Sequence, residues 1–409
     1  MSRGRRSADA VPGCAHLARR CGLARASSEA GPRVTIRVMQ APPARSGDPV
    51  GDIDTPALVV DLDAFERNLD LMANAVRGAG VALRPHGKAH KCPAIALAQL
   101  ERGAVGICCQ KVGEAEAFVA AGVRDVLVTN EIVGESKLAR LAAMARKVTV
   151  AVLADDVAAV PGIGAAASAA GVSIAVLVEI NVGANRCGVA PGAPAVAVAQ
   201  AVVGTPGLSL RGIHAYHGTA QHLRTPEERR AAIARAVSLA QETKVAIEMS
   251  GIPCPTVTGA GTGTWQHERD SGVYTELQPG SYVFMDADYQ KNALAPDQHH
   301  FEQSLFVLAA VMSVPVRERA IVDAGLKAFA FDSGPPLVYG AHGLSDVKAS
   351  DEHGVIAVAP DAQQPRLGDR LWLVPGHCDP TVNLYDWIVG VRGTRVECVW
   401  PVAARGALA

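Results

Sequence analysis

The stretch DVLVTNEIVGESKLARLAAMARKVTVAVL, residues 125–153, decides the fold. A β-branched run (DVLVTN, 125–130) gives way to an Ala-rich helical stretch (GESKLARLAAMAR, 134–146), and a second β-branched run (VTVAVL, 148–153) follows. The same alternation extends in both directions. Upstream lie VALR (81–84) and VGICC (105–109); downstream lie SIAVLVEI (173–180), LRGIHAYH (210–217), PTVTG (255–259) and YTELQPGSYV (274–283). Between most of these eight runs stand helix-like segments such as CPAIALAQLERG (92–103), GEAEAFVAAG (113–122) and TPEERRAAIARAVSLAQETK (225–244). Thr225, Pro226 and two following acids make a sound helix start, and Gly103 and Gly122 sound stops. Alternating βα units imply a parallel sheet. Eight of them suit a closed (β/α)8 TIM barrel, an α/β fold, better than the alternative, an open doubly wound sheet.

Beyond about residue 300 the texture changes to strands and turns (SLFVLAAVMSVPV, RAIVDAG, HGVIAVAP, RLWLVPG, DWIVGVRGTRVECVWPV), which predicts a second, mostly β domain. TPALVVDL (55–62), ahead of the helix that leads into the barrel, is a candidate to pair with it. Residues 1–38 carry eight arginines against Asp9 and Glu29 and no apolar core segment, so they resemble a transit peptide or upstream reading frame preceding a start at Met39. The expected division is a disordered or non-native extension over 1–50, a barrel over 51–300 and a β domain over 301–409.

The formal net charge of −1, from 39 basic and 40 acidic residues, offers no field to gather nucleic acid or an anionic membrane. A small neutral or zwitterionic substrate fits better. No run approaches the ~20 apolar residues of a membrane span. The nine cysteines have no regular spacing and no CxxC pair, which argues against a disulfide framework and for a reducing, cytoplasmic setting.

In a barrel, catalytic groups stand where strands end at the C-terminal face. Polar residues cluster there: His86 and Lys88, Gln110, Asn130, Asn181 with Arg186, then Tyr216, His217 and His222, then GAGTG (259–263), then Tyr282 and Asp286. Lys88, just beyond a buried strand in RPHGKAHK, is placed to form a Schiff base with a carbonyl cofactor, pyridoxal phosphate (PLP). That requires the neutral amine, which the cations Arg84, His86, His90 and Lys91 are expected to favour. The alternative is a basic loop that grips phosphate or is merely solvated. GAGTG lets backbone N–H groups approach an anion after the seventh strand, a common phosphate position in barrels. Arg186 and Tyr216 would flank a ring cofactor between them, their alternatives being a surface salt-bridge arginine and a core tyrosine. In PGHCDPTVN (375–383), an extended loop would project His377 and Asp379 to one side and Cys378 to the other. Such a pair suits Mn²⁺ or Mg²⁺ better than zinc; a structural turn is the alternative.

Together, RPHGKAHK, GICCQKVGEAEAF, NRCGV, AYHG, GAGTGT, ELQPGSYVFMDADY, VDAGLK, SDEHG and PGHCDPTVN resemble the D-threonine aldolase group of fold type III PLP enzymes. Its relatives include 3-hydroxy-D-aspartate aldolases, D-serine dehydratases and, more remotely, alanine racemase. The resemblance runs from about Asp52 to the C-terminus. It implies Lys88 as the PLP lysine, Arg186 and Tyr216 against the pyridine ring, and Gly261, Thr262 and Gly263 at the phosphate. Gln110 and Tyr282, at the mouth, are read as further cofactor contacts. It also implies His377 and Asp379 as metal ligands, where dehydratases tend to have cysteine at the second position, His222 as the handler of the β-hydroxyl proton, and a homodimer. The activity implied is metal-assisted retro-aldol cleavage of a D-3-hydroxy-amino acid to glycine and an aldehyde, with His222 or a metal-bound water as base. The competing readings are a dehydratase giving keto acid and ammonia, a racemase, and a PLP-binding homeostasis protein without turnover.

Overall fold

The computed structural model describes residues 40–409, so the expectation for residues 1–38 lies outside the described residues. The first strand of the described residues, β1 (Ala57–Asp61), follows a 3₁₀ turn at Val50–Asp52 and leads into the helix Leu62–Val76, capped by the Asp61 carboxylate on the N–H groups of Asp63 and Ala64. The eight β-branched runs become β2 (Ala82–Leu83), β3 (Ile107–Cys109), β4 (Asp125–Glu131), β5 (Thr149–Ala154), β6 (Ile174–Glu179), β7 (Leu208–Ala215), β8 (Thr256–Gly259) and β9 (Glu276–Leu277). All pair in parallel, in the order β2-β9-β8-β7-β6-β5-β4-β3. The ring closes where Val105 N–H donates to Leu83 C=O, Cys108 N–H donates to Pro85 C=O, and His86 bridges Cys108. The sheet is a closed α/β barrel of the expected kind. Its last strand is much shorter than the run 274–283 from which it was predicted: Pro279 has no N–H to continue the ladder, and a single 3₁₀ turn takes over at Ser281–Val283.

Helices cover the outside, including Pro93–Glu101, Val112–Ala120, Glu135–Ala145 and Pro226–Met249. The last begins as its sequence predicts: Thr225 accepts from Glu228 N–H, and Glu228 returns a carboxylate to Thr225 N–H. Small residues permit two close approaches inside the barrel. A Cβ on Gly212 would lie 1.9 Å from the Thr256 carbonyl oxygen, and one on Gly106 would lie 2.1 Å from the Arg84 guanidinium. Gly106 therefore makes room for a fully buried arginine. Arg84 bonds Asp125 at 2.7 Å and Glu276 at 2.9 Å near the N-terminal end of the barrel, and Arg211 reaches Glu276 at 3.1 Å.

A second sheet follows, built on β10 (Leu305–Val316), β11 (Arg319–Val322), β12 (Leu337–Val338), β13 (Leu344–Ala349), β14 (Gly354–Val358), β15 (Arg370–Val374), β16 (Trp387–Arg392) and β17 (Arg395–Pro401). Strand β1 pairs antiparallel with β10 and parallel with β16, as TPALVVDL suggested, so a segment ahead of the barrel lies inside this sheet. The turn after β15 is clasped to the barrel. Ala287 and Asp288 donate their N–H groups to Pro375 and Gly376, and Cys378 N–H donates to the buried Asp286 carboxylate at 2.9 Å. No helix among the described residues is long and apolar enough to cross a membrane.

Candidate active site

The clasp brings the 377–379 segment over the barrel mouth, into a cavity lined by Lys88, Gln110, Arg186, Tyr216, Gly261, Thr262, His222, His377 and Asp379. His377 does not sit in an extended loop with Asp379, as the sequence suggested. It caps the short helix Cys378–Val382, which forms because Asp286, remote in sequence, holds its first N–H; Cys378 is buried beneath while both predicted ligands reach the cavity.

Lys88 stands in the 3₁₀ turn Gly87–Ala89, with Nζ 4.0 Å from Asp379 Oδ2. Its electrostatics reverse the expectation from sequence. Burial disfavours the ammonium, but Asp379 and Tyr216 outweigh it and raise the lysine pKa, with Arg186 opposing. The nearby cations do not act because each is otherwise engaged. Arg84 belongs to the base of the barrel, Lys91 pairs with Glu114 at 3.0 Å, and burial pushes His86 and His90 down toward their neutral forms. His86 is held as a defined tautomer. Thr129 Oγ1 gives its proton to the Cys109 carbonyl and so accepts from His86 Nε2 at 2.9 Å, while His86 Nδ1 accepts the Lys88 N–H.

Arg186 is half-exposed, 3.9 Å from Glu179 and 5.9 Å from the centre of the Tyr216 ring. Asn181 shapes its loop by accepting the N–H groups of Gly183 and Asn185. The GAGTG loop packs on Gln221: a Cβ on Gly261 would meet its side chain at 2.5 Å. Thr262 is 7% exposed and its hydroxyl has no hydrogen-bond partner, which leaves a donor facing the cavity that holds Lys88. An amine, an unpartnered hydroxyl and an aromatic ring flanked by guanidinium fit a phosphorylated aldehyde ring. Two sequence expectations fail here. The Tyr282 phenol is buried away from the cavity and accepts from Gln99 Nε2, and the Gly263 N–H is committed to Gln221 Oε1.

His377 Nδ1 is 2.7 Å from Asp332 Oδ2, an arrangement that leaves Nε2 for a cation. Asp379, Asp332 and Asp286 together outweigh burial and raise the His377 pKa. No cluster of three or more His, Cys, Asp or Glu capable of caging a metal occurs among the described residues. The donor set is thus one imidazole and one carboxylate, which fits a harder cation completed by water and substrate oxygen. His222 lies across the cavity, Nδ1 2.6 Å from Asp288. Burial opposes ionisation of Asp288, but Arg224 and His222 hold its carboxyl below the usual range.

The cavity also takes in His86, placed at the mouth by sequence, together with Thr129, His214, Gln278, Ser281 and Tyr289, which were not singled out. His214 was within reach of a sequence argument, since it lies two residues before Tyr216, at the C-terminal end of β7. Of the other polar residues expected at the mouth, Asn130 bonds the Gln110 carbonyl and His217 bonds Thr219.

Family comparisons agree with this geometry. The alanine racemase N-terminal domain model matches residues 60–288, and a serine dehydratase domain model matches residues 304–391. A D-threonine aldolase from Arthrobacter sp is 50% identical over 365 residues, covering 89% of this chain and 96% of that protein. A 3-hydroxy-D-aspartate aldolase from Paracoccus denitrificans (strain Pd 1222) is 45% identical over 370 residues, covering 89% and 95%. The crystal structure of D-threonine aldolase from Filomicrobium marinum superposes with a TM-score of 0.89 at 49% identity, covering 90% of this chain and 100% of that one.

Proposed function

The chain belongs to the D-threonine aldolase group of fold type III PLP enzymes, and from that premise we propose that it cleaves D-3-hydroxy-amino acids to glycine and an aldehyde, using PLP and a divalent cation, Mn²⁺ or Mg²⁺. One observation carries the reading: Lys88, the unpartnered Thr262 hydroxyl and the His377/Asp379 pair face one cavity. PLP binding is assigned to residues 51–300 and the cation pair to residues 301–409, in a cytoplasmic homodimer.

When bound, PLP supplies a sink for the electron pair of the breaking Cα–Cβ bond, and the cation acidifies the substrate β-hydroxyl. Lys88 Nζ would be the amine for the cofactor aldehyde, with the Asp379 carboxylate 4.0 Å away. Thr262 Oγ1 and the backbone of Gly261 would hold the phosphate, Arg186 would serve the ring nitrogen and Tyr216 the ring face, and Gln110 would be a further cofactor contact from the same cavity wall. Gly263 is left to shape the loop, and Tyr282 has no part. Asp332 accepts the Nδ1 proton of His377 and so orients Nε2 for the cation beside Asp379. Asp288 plays the same part for His222: with the proton on Nδ1, Nε2 is free to take the β-hydroxyl proton. Arg186, a donor only, would leave a ring nitrogen facing it unprotonated and the electron sink more restrained than a carboxylate would.

The serine dehydratase match over the second sheet keeps one rival, loss of the β-hydroxyl as water. Incubation with D-threonine, D-phenylserine or D-3-hydroxyaspartate, with and without Mn²⁺, separates the two. The expected result is Mn²⁺-stimulated release of glycine and aldehyde, abolished by EDTA. Keto acid and ammonia as the products would overturn the aldolase reading.

A further inference from the structure

Gln221 precedes His222 in the 3₁₀ turn Gly218–His222 and is 1% exposed, so the polar atoms of its amide have to be met inside the protein. The hydrogen bonds around it have one consistent arrangement. Oε1 accepts the Gly263 N–H at 2.9 Å, and a backbone amide can only donate. Nε2 donates to the His217 carbonyl at 3.2 Å, and a carbonyl can only accept. The amide therefore has a single orientation, and the second Nε2 proton goes to Thr264 Oγ1 at 2.8 Å. Thr264 in turn sends its own proton to Glu268 Oε1 at 2.8 Å.

Packing points the same way. A Cβ on Gly261 would lie 2.5 Å from the Gln221 side chain, and one on Gly263 would lie 2.7 Å from its backbone oxygen, so both glycines are turned onto this residue. Gln221 thus holds the loop on either side of Thr262, whose hydroxyl is the one left without a protein partner. Ala260, ahead of them, has φ +70°, a left-handed conformation that a residue with a Cβ keeps only where its surroundings impose it. The template is itself held: the Gln221 carbonyl accepts from Asn292 Nδ2 at 2.8 Å, and Asn292 Oδ1 accepts from Arg224 Nη1 at 2.7 Å. Arg224 also bonds Asp288, the carboxylate that orients His222. Gln221 does not line the cavity, and the chemistry above leaves it without a role.

We propose that Gln221 is a positioning residue for the cofactor phosphate: its side-chain amide templates the GAGTG loop, so that Thr262 Oγ1 and the Gly261 backbone are presented to the phosphate. The inference rests on the PLP reading of the cavity and adds to it a residue that touches neither cofactor nor substrate. Its effect is confined to the phosphate end, because its bonds end on Gly263, Thr264 and His217 and none reaches Lys88, Arg186 or Tyr216.

The test compares dissociation constants of the full chain for PLP and for pyridoxal, which has the same ring and aldehyde without the phosphate, each followed by the visible absorbance of the bound species. Q221M keeps the volume packed against the two glycines and removes the three side-chain hydrogen bonds. It should weaken PLP binding by about tenfold, the scale of one hydrogen bond to a charged group. Pyridoxal binding should change by less than about twofold, as for a substitution remote from the contacts being measured. A residue needed only for the fold would weaken both alike. If Q221M does not fold, T264V decides: it keeps the volume, removes the hydroxyl that Gln221 Nε2 holds, and should weaken PLP relative to pyridoxal by about threefold. PLP affinity unchanged in the variant, or PLP and pyridoxal weakened equally, overturns the inference. A wild-type chain that binds pyridoxal as tightly as PLP, or binds neither, overturns the phosphate reading of GAGTG itself, before any variant is compared.

Discussion

Near the N-terminal end of the barrel, Arg84 sits 2.7 Å from Asp125 and 2.9 Å from Glu276, whereas at the mouth Lys88 stands 4.0 Å from Asp379 and Arg186 3.9 Å from Glu179. The side chain of Arg84 is 1% exposed; those of Lys88 and Arg186 are 35% and 53% exposed. Both regions assemble cations and carboxylates, yet the base holds its arginine in contact with its partners, while the mouth keeps Lys88 and Arg186 about 4 Å from theirs. A buried guanidinium must have its donors met, because an unpaired charge there costs several kcal/mol. The mouth leaves its cations loosely held, and that slack is what a ligand can use. For Lys88 and Arg186, charge held apart marks the cofactor side of the site, whereas His222 and His377 are each oriented by a carboxylate in contact.

Removing a cation from each region tests this contrast most strongly. At the mouth, Lys88→Ala should abolish turnover and the visible absorbance of bound PLP, with stability changed by no more than about 0.5 kcal/mol, as for most substitutions that leave no buried charge unpaired. A coloured, active variant would sink the whole functional scheme. His222→Ala should lower turnover by about 10²- to 10⁴-fold while the PLP absorbance persists, because the histidine handles a proton rather than the cofactor. Full turnover in that variant assigns the base elsewhere.

At the base the readout inverts. Arg84→Met strands Asp125 and Glu276, and breaking a buried pair from one side costs about 3 to 5 kcal/mol. The low end is expected, since Arg211 still reaches Glu276 at 3.1 Å. Urea unfolding measures the loss, and the folded fraction should keep its turnover per bound PLP. A large fall in turnover with stability intact would erase the distinction between the two regions.

The barrel was legible because its signal is local: each strand is announced by its own run, and each run starts within two residues of the strand observed. The residues at strand ends were legible for the same reason. What failed was non-local. The helix at Cys378–Val382 depends on an aspartate contributed by the barrel, and nothing in PGHCDPTVN announces it. Tyr282 was misplaced because β9 ends after two residues and the chain turns the phenol into the core against Gln99. The electrostatics of Lys88 were misjudged because proximity in RPHGKAHK says nothing of which end of the barrel each side chain enters. His214 and Gln278 read as ordinary interior residues, since polarity inside a barrel shows only once the strands are closed around it.

A smaller effect tests the contrast at a carboxyl that has no cation at all. Glu268 lies behind the GAGTG loop, fully buried, where it accepts from Thr264 Oγ1 at 2.8 Å and leaves its second oxygen without a partner. Burial pushes its pKa from 4.5 up to about 7. A raised carboxyl pKa means that the folded chain binds the proton more tightly than the unfolded one. Its stabilising contribution is therefore present below about 4.5 and is lost as pH rises through about 7. Between about pH 5 and pH 8 the loss is roughly 2 to 3 kcal/mol for a single such group. Glu131 contributes a slope of the same sign, so the comparison is wild type minus variant rather than the raw profile. In Glu268→Gln the amide cannot ionise, and stability measured by urea unfolding should fall less steeply with pH by that amount. If the variant loses stability with pH as fast as the wild type, Glu268 is already ionised at neutral pH, and a cation must reach it in the working enzyme.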